Sequence, residues 1–219
     1  PKIMNVEIYD RNGKLFLTLN NEHKQNYIKL EDIDKKIIDA FLAIEDKKFY
    51  QHNGIDLVRI GGALLANIKA NDIKEGASTI TQQYARNLYL NPSKNLQRKI
   101  EEMMIAINLE AKYSKDEILE GYLNTIYFDH GIYGIEDACK FYFNKSAKNV
   151  SLIEAAALAS IPKAPVNYSP IKNPENNKLR RNIVLQEMYE DGRITKEEYE
   201  KAKKAELKIY GKLERNDDL

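Results

Sequence analysis

The sequence predicts a mainly α-helical fold that carries one short β-hairpin near its N-terminal end. Three observations lead there. Beyond residue 18, apolar residues recur at spacings of three and four, the period of a helix. Three Ser/Thr-x-x-Glu capping boxes, Ser114 with Glu117, Ser151 with Glu154 and Thr195 with Glu198, announce helix starts. Strand-like alternation is confined to residues 5–18, where Val6 and Ile8 are followed by Asn12-Gly13 and then Leu15 to Leu17.

The chain has 219 residues, 43% of them apolar, which is enough for one cored domain with at most a small appendage. Its net charge of +1 excludes the diffuse basic footprint of a nucleic-acid binder. One cysteine makes no intrachain disulfide, and no Cys/His cluster offers a structural zinc site. The longest apolar runs, around Met103 to Ile107 and Ala155 to Ile161, fall well short of the roughly 20 residues that span a bilayer. The sequence begins at Pro1 without a signal peptide, and reads as an excised piece of a longer protein.

The first helix is expected from about Asp34 to Phe49. Ile38, Phe41, Leu42 and Phe49 fall on one side of it with Glu45 in their midst, while Asp46 points to the flank that carries Asp39. A carboxylate centred on an apolar stripe either has a raised pKa or faces a cleft. The plainer reading is a helix-end glutamate that reaches water or pairs with a lysine. Residues 75–83, Glu-Gly-Ala-Ser-Thr-Ile-Thr-Gln-Gln, could be a loop with an ordinary N-cap. They could equally be a helix N-terminus that holds an anion, with Arg86, Lys94, Arg98 and Lys99 downstream to supply positive charge.

The next helix, about Asn95 to Lys112, has an expected core stripe of Ile100, Met103, Met104, Ile107 and Ala111. Its opposite side carries Ile105 and Leu109 beside Arg98 and Glu102, so both sides are expected to be buried. Glu102 is either half of a structural Arg–Glu pair or a second functional carboxylate. Two carboxylates in unlike environments suit acid/base work at a sugar centre. Farther on, Pro162, Pro165, Pro170 and Pro174 predict an extended crossing segment, and Lys196 to Leu213 a surface helix leading into a linker.

Five stretches resemble, in order, the motifs of the peptidoglycan glycosyltransferases of family 51. Residues 45–54, EDKKFYQHNG, resemble E-D-x-x-F-x-x-H-x-G, and residues 76–83, GASTITQQ, resemble G-G-S-T-I-T-Q-Q. Residues 98–102, RKIEE, resemble R-K-x-x-E; residues 118–128, ILEGYLNTIYF, continued by Gly131 to Phe143, resemble the fourth motif. Lys163-Ala164-Pro165, Tyr168-Ser169-Pro170 and Arg180 to Leu185 resemble the last.

That resemblance implies a lysozyme-like globular lobe, a smaller membrane-facing jaw lobe at roughly 55–80, and polymerisation of lipid II with inversion at the donor sugar. It divides the chain into a hairpin and linker (1–30), the glycosyltransferase domain (31–195) and a C-terminal helix and linker (196–219). It implies Glu45 as general base and Glu102 as the group that assists departure of pyrophosphate, directly or through a divalent cation such as Mg or Mn; no organic cofactor is implied. Asp46, Ser78, Thr81, Gln82, Gln83, Arg86, Lys94, Arg98 and Lys99 would serve the substrate, and Phe49, His52, Gly54 and Asn124 would be structural. The implied partners are lipid II, the growing glycan strand, the membrane surface and a C-terminal transpeptidase domain. The implied location is the outer face of the bacterial cytoplasmic membrane, with the anchor helix before Pro1. Moenomycin, a phosphoglycolipid, would occupy the donor site.

Three positions depart from the motifs. Ala77 replaces a glycine, Gly62 replaces an arginine for which Arg59 could substitute, and Asp129 replaces the glycine of Y-F-G, which Asp tolerates if the turn needs φ > 0. Two other functions stay open from sequence alone: a lysozyme-like glycan hydrolase and a catalytically silent lipid II-binding module.

Overall fold

The structure, a computed structural model, describes residues 6–9, 15–19, 26–56, 78–88 and 96–211. Val6–Tyr9 (β1) pairs antiparallel with Leu15–Leu19 (β2), with a register irregularity between Ile8 and Tyr9. The rest of the described chain is helix and turn. In order the helices are α1 (Lys35–Glu45), α2 (Ile80–Leu88), α3 (Leu96–Lys112), α4 (Lys115–Thr125), α5 (Ile135–Phe143), α6 (Leu152–Ser160), α7 (Pro174–Glu190) and α8 (Lys196–Lys204). Most of the stretch expected to form the jaw lobe, together with Arg59, Gly62, Ala77 and Lys94, lies outside the described residues. Among the described residues no helix is long and apolar enough to cross a membrane.

Helix α6 is the centre of the core. Its residues 153–160 are all buried, as an almost wholly apolar, alanine-rich helix must be, and α1 and α7 pack on it. All three predicted capping boxes form, each with the reciprocal Ser/Thr and Glu bonds, at α4, α6 and α8. Phe41 of α1 is fully buried, its ring meeting Tyr122 of α4 and Phe128 edge-on at 6.2 and 6.3 Å. Burying a ring of this kind contributes about 1.5–3 kcal/mol. It anchors α1 one turn before Glu45, so the position of Glu45 is set by core packing.

Four local expectations need correction. Helix α1 ends at Glu45, because Asp46 swings to φ −160°, ψ 78° and commits its carboxylate elsewhere. Phe49 is therefore buried from a short 3-10 turn (Phe49–Gln51), not from the α1 stripe. On α3 the stripe expected in the core faces out: Ile100, Met104 and Ile107 are 51%, 60% and 49% exposed, while Glu102 and Ala106 are buried. Two apolar sides compete on that helix, and the side carrying Glu102 wins because its charge meets cations there. Residues 161–173 form successive turns, closed by Ala164 N–H to Ile161 O, Tyr168 N–H to Ala164 O and Asn173 N–H to Ser169 O, and Pro174 opens α7 at its first position. Finally, α8 stops at Lys204; the irregular tail beyond it lays Leu207 and Ile209 on the core and ties Tyr210 N–H to Tyr142 O.

Candidate active site

The site is assembled around α2. Thr79 and Gln82 close a reciprocal cap at its start: Gln82 N–H donates to Thr79 Oγ1 (3.1 Å), and Thr79 N–H donates to Gln82 Oε1 (2.9 Å). Asp46 accepts the Ile80 N–H (3.0 Å) on the same carboxylate that His52 Nε2 reaches at 2.8 Å. A carboxylate at a helix N-terminus is favoured by the helix dipole. Thr81 Oγ1 donates to Glu110 Oε1 (2.6 Å), and Thr79 Oγ1 donates to Gly54 O (2.7 Å).

Asp46, Thr81 and Gln82, expected to serve the substrate, are thus buried with their polar atoms engaged inside the protein. The N–H groups of Thr79, Ile80, Gln82 and Gln83 are also taken, the last by Thr79 O. An anion at this place would meet side-chain cations rather than a bare helix terminus. Phe49, His52, Gly54 and Asn124 fall into supporting positions. Lys115 Nζ sits 4.4 Å over the Phe49 ring. Gly54 adopts φ +83°, with Glu110 and Ala106 close behind it. Asn124 binds Ile28 through both N–H and C=O, holding the chain that leads into α1.

Two side chains one turn apart on α2 reach the two candidate catalytic glutamates. Gln83 Nε2 donates to Glu45 Oε2 (2.8 Å), and Gln83 Oε1 accepts the Tyr122 hydroxyl proton (3.0 Å). Arg86 Nε approaches Glu102 Oε1 at 3.4 Å, as does Arg98 Nε at 3.3 Å, and Lys99 Nζ lies 3.3 Å from Glu102 Oε2. Lys99 also donates to Ser78 Oγ at 2.8 Å. Glu102 is 2% exposed, whereas the side chains of Arg86 and Lys99 are 46% and 41% exposed. Three cations meet one buried carboxylate, and two of them, Arg86 and Lys99, have side chains over 40% exposed and able to receive a phosphate-bearing ligand.

The same donor set argues against a protein-held divalent ion. The oxygens of Glu102 are ringed by cations, and among the described residues no group of three His, Cys, Asp or Glu could hold a metal. Asp129, the departure from Y-F-G, does sit at φ 66°, in a run of left-handed residues with His130 (52°) and Gly131 (70°). Sequence reading missed Tyr122, Glu110 and Lys115 as parts of the site's support. The Thr79-x-x-Gln82 spacing, which fits a capping box, was the signal that could have refined the ordinary N-cap expected there.

Comparisons place these features among known proteins. The family model described as "Transglycosylase" matches residues 12–189. Penicillin-binding protein 1F of Bacillus subtilis is 47% identical over 192 residues, covering 88% of this chain and 27% of that protein. Penicillin-binding protein 1A of Aquifex aeolicus is 46% identical over 196 residues, covering 90% and 27% respectively. The crystal structure of penicillin-binding protein 1A from Haemophilus influenzae superposes with a TM-score of 0.52 at 27% identity, over 94% of this chain and 21% of that one. The chain spans about a quarter of the length of these curated relatives.

Proposed function

This chain belongs to the transglycosylase family, and on that premise we propose that it is a peptidoglycan glycosyltransferase that polymerises lipid II into β-1,4-linked glycan with release of undecaprenyl pyrophosphate. The observation that carries this reading is the pair of unlike carboxylates joined by α2: Glu45 half-buried on a neutral amide, Glu102 buried among three cations.

In this reading Glu45 takes the proton from the 4-hydroxyl of the acceptor GlcNAc as that oxygen attacks the donor's anomeric carbon. The bond from that carbon to the pyrophosphate oxygen breaks on the opposite face, so the α-linked donor becomes a β-linked product. The bonding pair leaves with the pyrophosphate, whose growing charge is met by Arg86, Arg98 and Lys99. Glu102 holds those cations in place. The membrane surface that holds lipid II, a place on the outer face of the bacterial cytoplasmic membrane and a transpeptidase domain in the same polypeptide belong to the same proposal.

Incubating the protein with labelled lipid II in detergent tests it. The parent should build a ladder of glycan products, and Glu45→Gln should lose about 100-fold or more in rate, the scale of a general base. No product from the parent, or an undiminished Glu45→Gln, would defeat the assignment; shortening of preformed glycan would replace it with a hydrolase.

A further inference from the structure

We propose that Tyr122 is a positioning residue for the Glu45 carboxylate, acting through Gln83. Its hydroxyl decides which end of the Gln83 amide faces Glu45. The inference rests on the reading of Glu45 as general base.

Tyr122 lies on α4 and is 1% exposed. For packing alone a phenylalanine would serve, since the ring's edge-on contact with Phe41 does not involve the hydroxyl. A buried hydroxyl is costly unless its proton finds an acceptor. Among the described residues that acceptor is Gln83 Oε1, at 3.0 Å. Burial first, and then the charge of Glu45, hold the phenol well above its usual pKa, so it stays protonated and remains a donor. Asp46 acts in the same direction and Arg86 against it; with Glu45 these are the charged groups among the described residues that act on Tyr122.

A glutamine side chain can turn its amide over by rotating about its last bond, and only the surrounding hydrogen bonds choose between the two states. With the oxygen held by Tyr122, the NH2 group points at Glu45 Oε2 at 2.8 Å, donor to acceptor. Turned over, the amide oxygen would face a carboxylate, two acceptors in contact, and the Tyr122 proton would lose its partner. The three groups therefore lock one another. Phe41 packs against Tyr122 and stands one turn before Glu45 on α1, so the same core contact fixes both ends of the chain.

Tyr122→Phe removes only the oxygen. Assayed on lipid II beside the parent and Glu45→Gln, it should show kcat lower by about tenfold, the value of one hydrogen bond expressed in the transition state. Its KM should stay within about twofold and its melting temperature within a few degrees. The coupling test adds Gln83→Leu. In that background Tyr122 has no acceptor left, so adding Tyr122→Phe should leave kcat unchanged and raise, or not alter, the melting temperature. A parental kcat in Tyr122→Phe, a loss carried wholly by KM, or losses that multiply in the double variant would each overturn the inference. Because Glu45→Gln is run alongside, an active parent with an inactive Glu45→Gln leaves the general-base reading standing whatever Tyr122→Phe does.

Discussion

Glu45 and Glu102 are the same residue type on helices that both meet α2, yet they sit in opposite kinds of place. Glu45 ends α1, half-buried, and accepts a hydrogen bond from the uncharged side-chain amide of Gln83. Glu102 lies within α3, nearly sealed from water, with Arg86, Arg98 and Lys99 around it. A half-buried carboxylate that meets a neutral amide suits proton transfer from a substrate hydroxyl. One ringed by three cations serves as an organiser of positive charge. One helix, reaching each with a different side chain, separates the two roles.

The sharpest way to break that contrast is Glu102→Gln. Turnover should fall by about 100-fold, and stability by about 2–3 kcal/mol. That is less than the 3–5 kcal/mol typical of a fully buried broken pair, because two of the three cations are over 40% exposed. Binding of moenomycin should strengthen in the same variant, since removing the carboxylate frees the cations for an external phosphate. Calorimetry beside thermal melts reads the two effects separately. Weaker moenomycin binding would mean that Glu102 contacts the ligand itself.

The next effect belongs to Asp46, which supports the Glu45 side. Asp46→Ala removes the acceptor of Ile80 N–H and the partner of His52 together. A loss of about 2 kcal/mol is expected, from a helix cap plus one buried hydrogen bond. Turnover should fall with it, because α2 carries both Gln83 and Arg86. A melt unchanged from the parent would refute the capping role. Gly54→Ala should cost somewhat less, about 1–2 kcal/mol: φ +83° strains any L-residue, and a Cβ there would meet Glu110 Cγ at 3.0 Å and Ala106 O at 3.1 Å.

Local features were legible in the sequence because they are written within a few residues. The three capping boxes and the Arg98–Glu102 neighbourhood are of this kind. Which apolar side of α3 would be buried was not legible. Ile100, Met104 and Ile107 made the better stripe, but Arg86, from a different helix, drew the Glu102 side inward. The end of α1 was missed for a similar reason, since Asp46 leaves the helix to bind a backbone N–H thirty-four residues away. The Tyr122–Gln83–Glu45 chain joins three helices, and a single sequence carries no sign of such a meeting.

A third buried carboxylate sets the smallest test. Asp129 is 2% exposed, and its partners are Lys172 Nζ at 3.1 Å and His130 Nε2 at 3.3 Å, the arrangement of Glu102 in miniature. Burial alone would raise its pKa, but the His130 N–H and Lys172 outweigh that and hold it below 3.8. A depressed carboxylate contributes stability above its unfolded value and loses it as the pH falls through the folded one. His130 is itself lowered below 6.5, mainly by burial against the pull of Asp129, so folding also weakens as the pH drops below 6.5 and the unfolded imidazole takes up a proton. Lys172→Met removes a group that lowers both values. At neutral pH it should cost less than about 1 kcal/mol, since the lysine side chain is 35% exposed. In acid both declines should become shallower, because each folded-state value moves back toward its unfolded one, that of His130 toward 6.5 and that of Asp129 toward 3.8. Denaturant melts taken across that range would show curves that converge as the pH falls. Parallel curves would mean that Lys172 does not act on either group.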